Sequence, residues 1–213
     1  MVSRKTYGAL LIVLVLFLTV TAIRFSLSLQ SPEFASAESY YHLRQVDSIL
    51  TTGSSITYDS LSYGGRDYSG IALYDYVLTA SVGNTLFLKF IGSLLGALLT
   101  LVIYFYAREF TSDWYAVLSA SAAGFIPVYF SSTIADVSIL VLFVPLFWFC
   151  LWCFHTARAK LFLLSLLVLT LLSPYSMIIP LTLALYLLAY YLDKLEVGSE
   201  KKELAAFSIL FVT

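Results

Sequence analysis

Four stretches of this chain run for at least 18 residues without an Asp, Glu, Lys or Arg: Thr6 to Ile23, Phe90 to Ala107, Trp114 to Ala135 and Val137 to Thr156. A helix needs about 20 apolar residues to cross the hydrocarbon core of a bilayer. Lipid offers no hydrogen bonds to an exposed backbone, so such segments cross as helices. A fifth charge-free stretch, Leu161 to Leu192, has 32 residues, too many for one untilted helix and just short of two. Ser173-Pro174 lies near its centre, and proline breaks helices, so we read two short spans that meet there. A sixth apolar run, Leu204 to Thr213, has ten residues, which cannot cross alone.

The expectation is an all-α, polytopic transmembrane protein forming one membrane domain. Its spans fall at about 6–24, 88–107, 114–132, 137–156, 158–173 and 175–192, with another starting at 204–213. The chain then reads as the N-terminal part of a longer protein. Only 12% of residues are charged and the mean hydropathy is +0.89, which places the chain outside the soluble globular class. The net charge of -1 and the absence of a basic cluster argue for no nucleic-acid partner. The opening Met-Val-Ser-Arg-Lys and the apolar run after it resemble a signal peptide. That run is long for one, however, and no small-x-small cleavage site follows promptly, so a retained anchor is the better reading. Cys150 and Cys153 lie one helical turn apart in an apolar segment, which points to packing.

Basic residues set the orientation. Arg4 and Lys5 before the first span place the N-terminus in the cytoplasm, and alternation makes 30–84 and 131–136 external. The inside then carries Arg4, Lys5, Arg108, Arg158, Lys160, Lys194, Lys201 and Lys202, the outside Arg24, Arg44, Arg66 and Lys89. Reading 161–192 as one span would move Lys194, Lys201 and Lys202 outside and reverse the bias.

The long first external loop, 30–84, opens with Glu33-Phe-Ala-Ser-Ala-Glu38-Ser-Tyr40-Tyr41-His42-Leu43-Arg44. Ser36 is an N-cap and Gly53 a stop for a helix between them. On that helix Glu38 and His42 share a face, while Leu43, Val46 and Leu50 form an apolar stripe suited to lying along a membrane surface. Spacing alone is equally served by an interfacial connecting helix. Further on, Gly64-Gly65 marks a turn. The tyrosines at 58, 63, 68, 74 and 76 suit headgroup level or a surface that stacks on sugar rings.

The order Glu38-Ser39-Tyr40-Tyr41-His42-Leu43-Arg44 resembles the first acidic motif of the oligosaccharyltransferase catalytic subunits, which follows their first span. Those enzymes are multi-spanning glycosyltransferases of the GT-C class that use lipid-linked sugars. The family has Asp where this chain has Glu38, which keeps the charge and lengthens the reach. Asp136 is the only charge between Asp113 and Arg158, and its surroundings, Ser131-Ser132-Thr133-Ile134-Ala135-Asp136-Val137-Ser138, resemble the family's second acidic motif. Ser138 stands where the family has a second acid. The family's Trp-Trp-Asp-Tyr-Gly signature is absent from this chain.

The resemblance implies a GT-C-like fold and the transfer of a glycan from a polyprenyl-(di)phosphate donor to an acceptor asparagine of a polypeptide, on the external face. It implies that Glu38 and Asp136 bind a divalent cation, Mg or Mn, and are catalytic. Oxygen ligands from two loops suit such a hard ion. Arg44 takes a structural place near Glu38, and His42 either bonds within the loop or touches substrate. Arg24 and Lys89, at the external ends of two spans, either snorkel to lipid headgroups or bind the lipid-linked diphosphate. Two other readings stay open: a GT-C enzyme moving single sugars, and a non-catalytic membrane subunit or transport component. The 213 residues alone are not expected to catalyse transfer.

Overall fold

The longest charge-free stretches become the longest helices. In the computed structural model, α1 spans Arg4–Ser28 and α4 spans Thr85–Arg108. Between them lie α2 (Ala37–Thr52), a two-stranded antiparallel ribbon of β1 (Tyr58–Asp59) and β2 (Arg66–Asp67), and the short α3 (Leu73–Leu78). After α4 come α5 (Asp113–Gly124), α6 (Pro127–Ile134), α7 (Leu140–His155), α8 (Ala159–Leu172) and α9 (Ile178–Leu192). The structure describes residues 4–34, 36–61, 64–67, 73–81, 84–134, 136–192, 201–203, 205 and 208. Tyr63, Tyr68 and all of the 204–213 run except Ala205 and Ser208 lie outside the described residues.

About 80% of the described residues are helical. Tyr7–Ser28 and Thr85–Arg108 are long and apolar enough to cross a membrane. The pair α5–α6 passes the same test when taken together, but it is bent by 47°. The bend falls where Pro127 opens α6: proline has no N–H to donate to the preceding turn, and it fits best at a helix start. The outward faces are apolar: Leu11, Leu14, Val15 and Leu18 of α1 and Trp114, Tyr115 and Leu118 of α5 are all exposed. A patch of that size facing water would be an aggregation surface, whereas against lipid it is solvated.

Two compact units divide the chain, Met1–Pro145 and Leu146–Thr213. In the first, α4 packs against α1 and α5. Small residues allow the close approach: Ala97 faces Val20, and Ala116 and Ala120 of α5 pack with Val13 and Tyr104. Gly124 fits against Thr100 and Val20 with no room for a Cβ. Pro145 inside α7 cannot bond the carbonyl of Val141, and the Tyr129 hydroxyl of α6 donates to that orphaned oxygen at 3.2 Å. In the second unit, Phe154 packs edge-on to Tyr186 and against Phe162, and buried Leu166, Leu169, Ile179 and Leu183 complete the core. Cys150 and Cys153 are free thiols buried there. α8 ends at Leu172 and a 3-10 turn, Pro174–Met177, leads into α9.

Candidate functional site

The site is built on α2, whose ends are where the sequence marks them. Ser36 is extended, and its hydroxyl accepts the N–H of Ser39 at 3.2 Å. Gly53 closes the helix at φ 79°, a left-handed conformation natural to glycine. The buried face, however, is Ser39, His42, Gln45, Val46 and Ile49. Of the expected apolar stripe Leu43, Val46 and Leu50, only Val46 is buried, and Leu50 is exposed. The helix therefore turns a mainly polar face inward. That is affordable because three other segments of the first unit supply partners.

The first partner is the 136–139 turn. Asp136 Oδ1 accepts the backbone N–H of Ser36 at 2.8 Å and the Ser39 hydroxyl at 3.1 Å. Ser39 Oγ in turn accepts the N–H of Val137 at 2.8 Å. The Ser138 hydroxyl lies 3.4 Å from Glu38 Oε1, the long end of a hydrogen bond. A carboxylate at the start of a helix also meets the positive end of its dipole. Asp136 thus holds the N-terminus of α2 from a position 100 residues further along the chain.

The second partner is α3. His42 Nδ1 lies 2.6 Å from Asp75 Oδ1, and both side chains are buried. A carboxylate only accepts, so Nδ1 carries the hydrogen and Nε2 is left bare in the neutral ring. Nε2 points towards Glu38 Oε1 at 3.7 Å, beyond hydrogen-bond range. The edges of Tyr41 and Tyr74 meet the His42 ring at centroid distances of 5.5 and 5.0 Å, which fixes its rotamer. Tyr74 donates its hydroxyl to the carbonyl of Ser138 at 3.0 Å, linking α3 to the same turn. Burial, followed by the charges of Asp75 and Glu38, pushes the Tyr74 phenol well above its usual value. The third partner is the ribbon: Arg44 Nη2 donates to Asp59 Oδ2 at 2.9 Å, and buried Gln45 bonds the N–H of Ile56 at 2.7 Å.

The residues singled out by sequence therefore separate into three places. Glu38, His42 and Asp136 share one junction. Arg44 serves the ribbon through Asp59. Arg24 and Lys89 do not reach outward to headgroups but lie inside the helix packing of the first unit, 0% and 5% exposed. Lys89 Nζ donates to the carbonyl of Ser28 at 2.9 Å and to that of Ser31, so it closes the C-terminal end of α1 from α4. Arg24 Nη2 donates to Thr133 Oγ1, and the guanidinium lies 5.4 and 5.1 Å from the ring centroids of Tyr129 and Phe130. Its Nε and Nη1 have no hydrogen-bond partner among the described residues. Gly96 is the position that makes space, since a Cβ there would come within 2.5 Å of the guanidinium.

Sequence reasoning missed Asp75 and Asp59. The signal for Asp75 was a lone acid within the otherwise uncharged Leu73-Tyr74-Asp75-Tyr76-Val77-Leu78; attention to its flanking tyrosines hid it. Of those tyrosines, Tyr58 and Tyr76 are exposed, whereas Tyr74 is buried at the junction. Among the described residues, no three His, Cys, Asp or Glu side chains are grouped so as to hold a metal ion. No known protein family, curated protein or solved structure matches this chain.

Proposed function

We propose that this chain is a polytopic membrane glycosyltransferase of the GT-C class, similar to the oligosaccharyltransferase catalytic subunits. It passes a glycan from a polyprenyl-(di)phosphate donor to an asparagine of an acceptor polypeptide on the external side. One observation carries the reading: the two segments that resemble the acidic motifs, 100 residues apart in the chain, dock on each other through Ser39–Asp136 and Glu38–Ser138. An amide nitrogen is a poor nucleophile and a departing diphosphate gathers negative charge, so such a reaction needs fixed carboxylates and a cation where charge develops.

The residues present fit a divalent cation in part. Glu38 is half-exposed and offers an accessible carboxylate, while Asp136 Oδ1 already accepts two hydrogen bonds at the α2 N-terminus. Glu38 is accordingly the principal oxygen ligand for Mg or Mn, with Asp136 both holding the helix and adding charge. When bound, the ion would supply charge stabilisation at the donor oxygens. The chain's own residues orient it and hold the two segments in register.

Ser138, a neutral residue in place of an acid, favours a second reading: a non-catalytic membrane subunit or transport component that keeps the scaffold. A photoreactive polyprenyl-diphosphate sugar in proteoliposomes tests the proposal. We expect labelling in 36–42 or 136–139, displaced by unlabelled polyprenyl diphosphate and lost in Glu38→Ala and Asp136→Ala. Labelling spread over all helices and indifferent to both substitutions would refute it.

A further inference from the structure

We propose that the groove between the starts of α1 and α5 is a binding site for an anionic phospholipid, which lays an acyl chain in the groove and its phosphate against Arg108. The site is built apart from the α2 junction and stands independently of the transferase reading.

Small residues open the groove. Gly8, Ala9 and Ile12 of α1 line one wall, and Ser112, Asp113 and Trp114 at the start of α5 line the other. The cavity measures about 490 Å³, within the roughly 300–1,000 Å³ of small-molecule sites. Further along, Val13 of α1 is buried in one cluster with Ala116 and Ala120 of α5. At Gly8 the gap stays unfilled, since a Cβ there would meet nothing within 4 Å. Gly8, Ala9 and Ile12 belong to Tyr7–Ser28, a segment long and apolar enough to cross a membrane. An open apolar groove on such a helix meets acyl chains.

The mouth holds the polar groups. Arg108 donates from Nε to Asp113 Oδ1 at 2.8 Å, while Nη1 and Nη2 make no hydrogen bond among the described residues. Those two nitrogens carry four of the five N–H donors of a guanidinium, in a fork that matches phosphate. The Ser112 hydroxyl, at the N-cap position of α5, makes no cap bond and is a further donor. Beside the groove, Tyr104 is wholly buried in the cluster with Ala9 and Ala116. Its hydroxyl lies within reach of the charges of Asp113 and Arg108 but has no hydrogen-bond partner among the described residues. Such an unmet donor in a packed interior calls for an acceptor.

Charge selects the headgroup. Arg4 and Lys5, in the turn of α1 before Gly8, join Arg108 at this end of the helices, against the acids Glu109 and Asp113. The balance is positive, and Asp113 is already paired. A choline headgroup would bring a second cation to that rim, whereas a phosphatidylglycerol brings only its phosphate charge. Basic pockets between membrane helices bind anionic headgroups in this way, at about fivefold in affinity per basic residue. Trp114 and Tyr115, both exposed, suit the headgroup level beside it.

The test uses the full chain in phosphatidylcholine nanodiscs, with Trp148 and Trp152 replaced by Phe so that Trp114 is the only tryptophan. Phosphatidylglycerol brominated near the ester end of one acyl chain quenches a tryptophan that it touches. At equal low mole fraction it should quench Trp114 about fivefold more effectively than equally brominated phosphatidylcholine. Gly8→Leu fills the groove and should make the two lipids equal. Gly92→Leu, on α4, where a Cβ also meets nothing within 4 Å, should leave the preference intact. Arg108→Gln should remove most of the preference while the groove stays open. Equal quenching by the two lipids in the unsubstituted groove overturns the site. A preference that survives Gly8→Leu does so too, because it would report charge attraction to the whole surface. Displacement by soluble glycerol phosphate would overturn the lipid as occupant, since that ion has no acyl chain to lay in the groove.

Discussion

Adding one methyl group at Gly124 tests the packing that brings α1, α4 and α5 together. A Cβ at this position would lie 2.7 Å from Thr100 Cγ2 and 3.0 Å from Val20 Cγ2. Apolar carbon atoms prefer about 3.5–4.0 Å, so the shortfall is roughly 0.5–1.3 Å on two sides at once. Both obstacles are methyls of β-branched side chains on helices, which are stiff at χ1 and cannot swing aside. The helices must separate instead, at a cost of about 1–3 kcal/mol. Gly92 on α4 is the control, because a Cβ there meets nothing within 4 Å. Each substitution to Ala also gains helix propensity, up to about 1 kcal/mol, so the difference between them isolates the contact. SDS titration in mixed micelles can be followed through Trp114 on α5, with Trp148 and Trp152 replaced by Phe. Gly124→Ala should fall below Gly92→Ala by about 1–3 kcal/mol. Equal stability of the two variants would refute the three-helix packing described here.

Two further outcomes are expected. Because burial raises the Tyr74 phenol above its unfolded value, its contribution to stability is complete below a pH of about 10 and is lost as pH climbs further; Tyr74→Phe should flatten the alkaline part of the unfolding profile. Cysteines at Ser60 and Ser132, in a background lacking Cys150 and Cys153, should both react with an impermeant reagent added outside, and labelling at only one would place the two segments on opposite sides of the membrane.

How much of this was legible in the sequence depends on how far apart the interacting residues lie. Hydropathy and caps are local signals, and they marked α1, α4, the Ser173-Pro174 break, and the Ser36 and Gly53 ends of α2. The direction in which α2 faces was not local. The template of a helix lying on a membrane assigns Leu43, Val46 and Leu50 to the buried side, but the inward face here is polar, because Asp75 and the 136–139 turn meet it from 33 and about 100 residues away. Arg24 and Lys89 were placed at headgroup level by their position at span ends. Their actual burial depends on Thr133, Tyr129, Ser28 and the missing side chain of Gly96, none of which a hydropathy count weighs. Asp75 was hidden for the same reason: a single acid in an apolar hexapeptide acquires meaning only when a histidine is brought to 2.6 Å from it.

The central claim is that the N-terminus of α2 and the 136–139 turn form one junction, which we propose faces outside. Its most direct test places cysteines at Glu38 and Ser138, again without Cys150 and Cys153, in the chain reconstituted in vesicles of known orientation. A short, membrane-impermeant bifunctional thiol reagent is then added from outside. The junction predicts rapid intramolecular cross-linking of this pair and none for a cysteine at Glu38 paired with one at the inward-assigned Glu109. Failure of the Glu38–Ser138 pair to cross-link in folded chain, or its cross-linking only from the inside, would contradict the account.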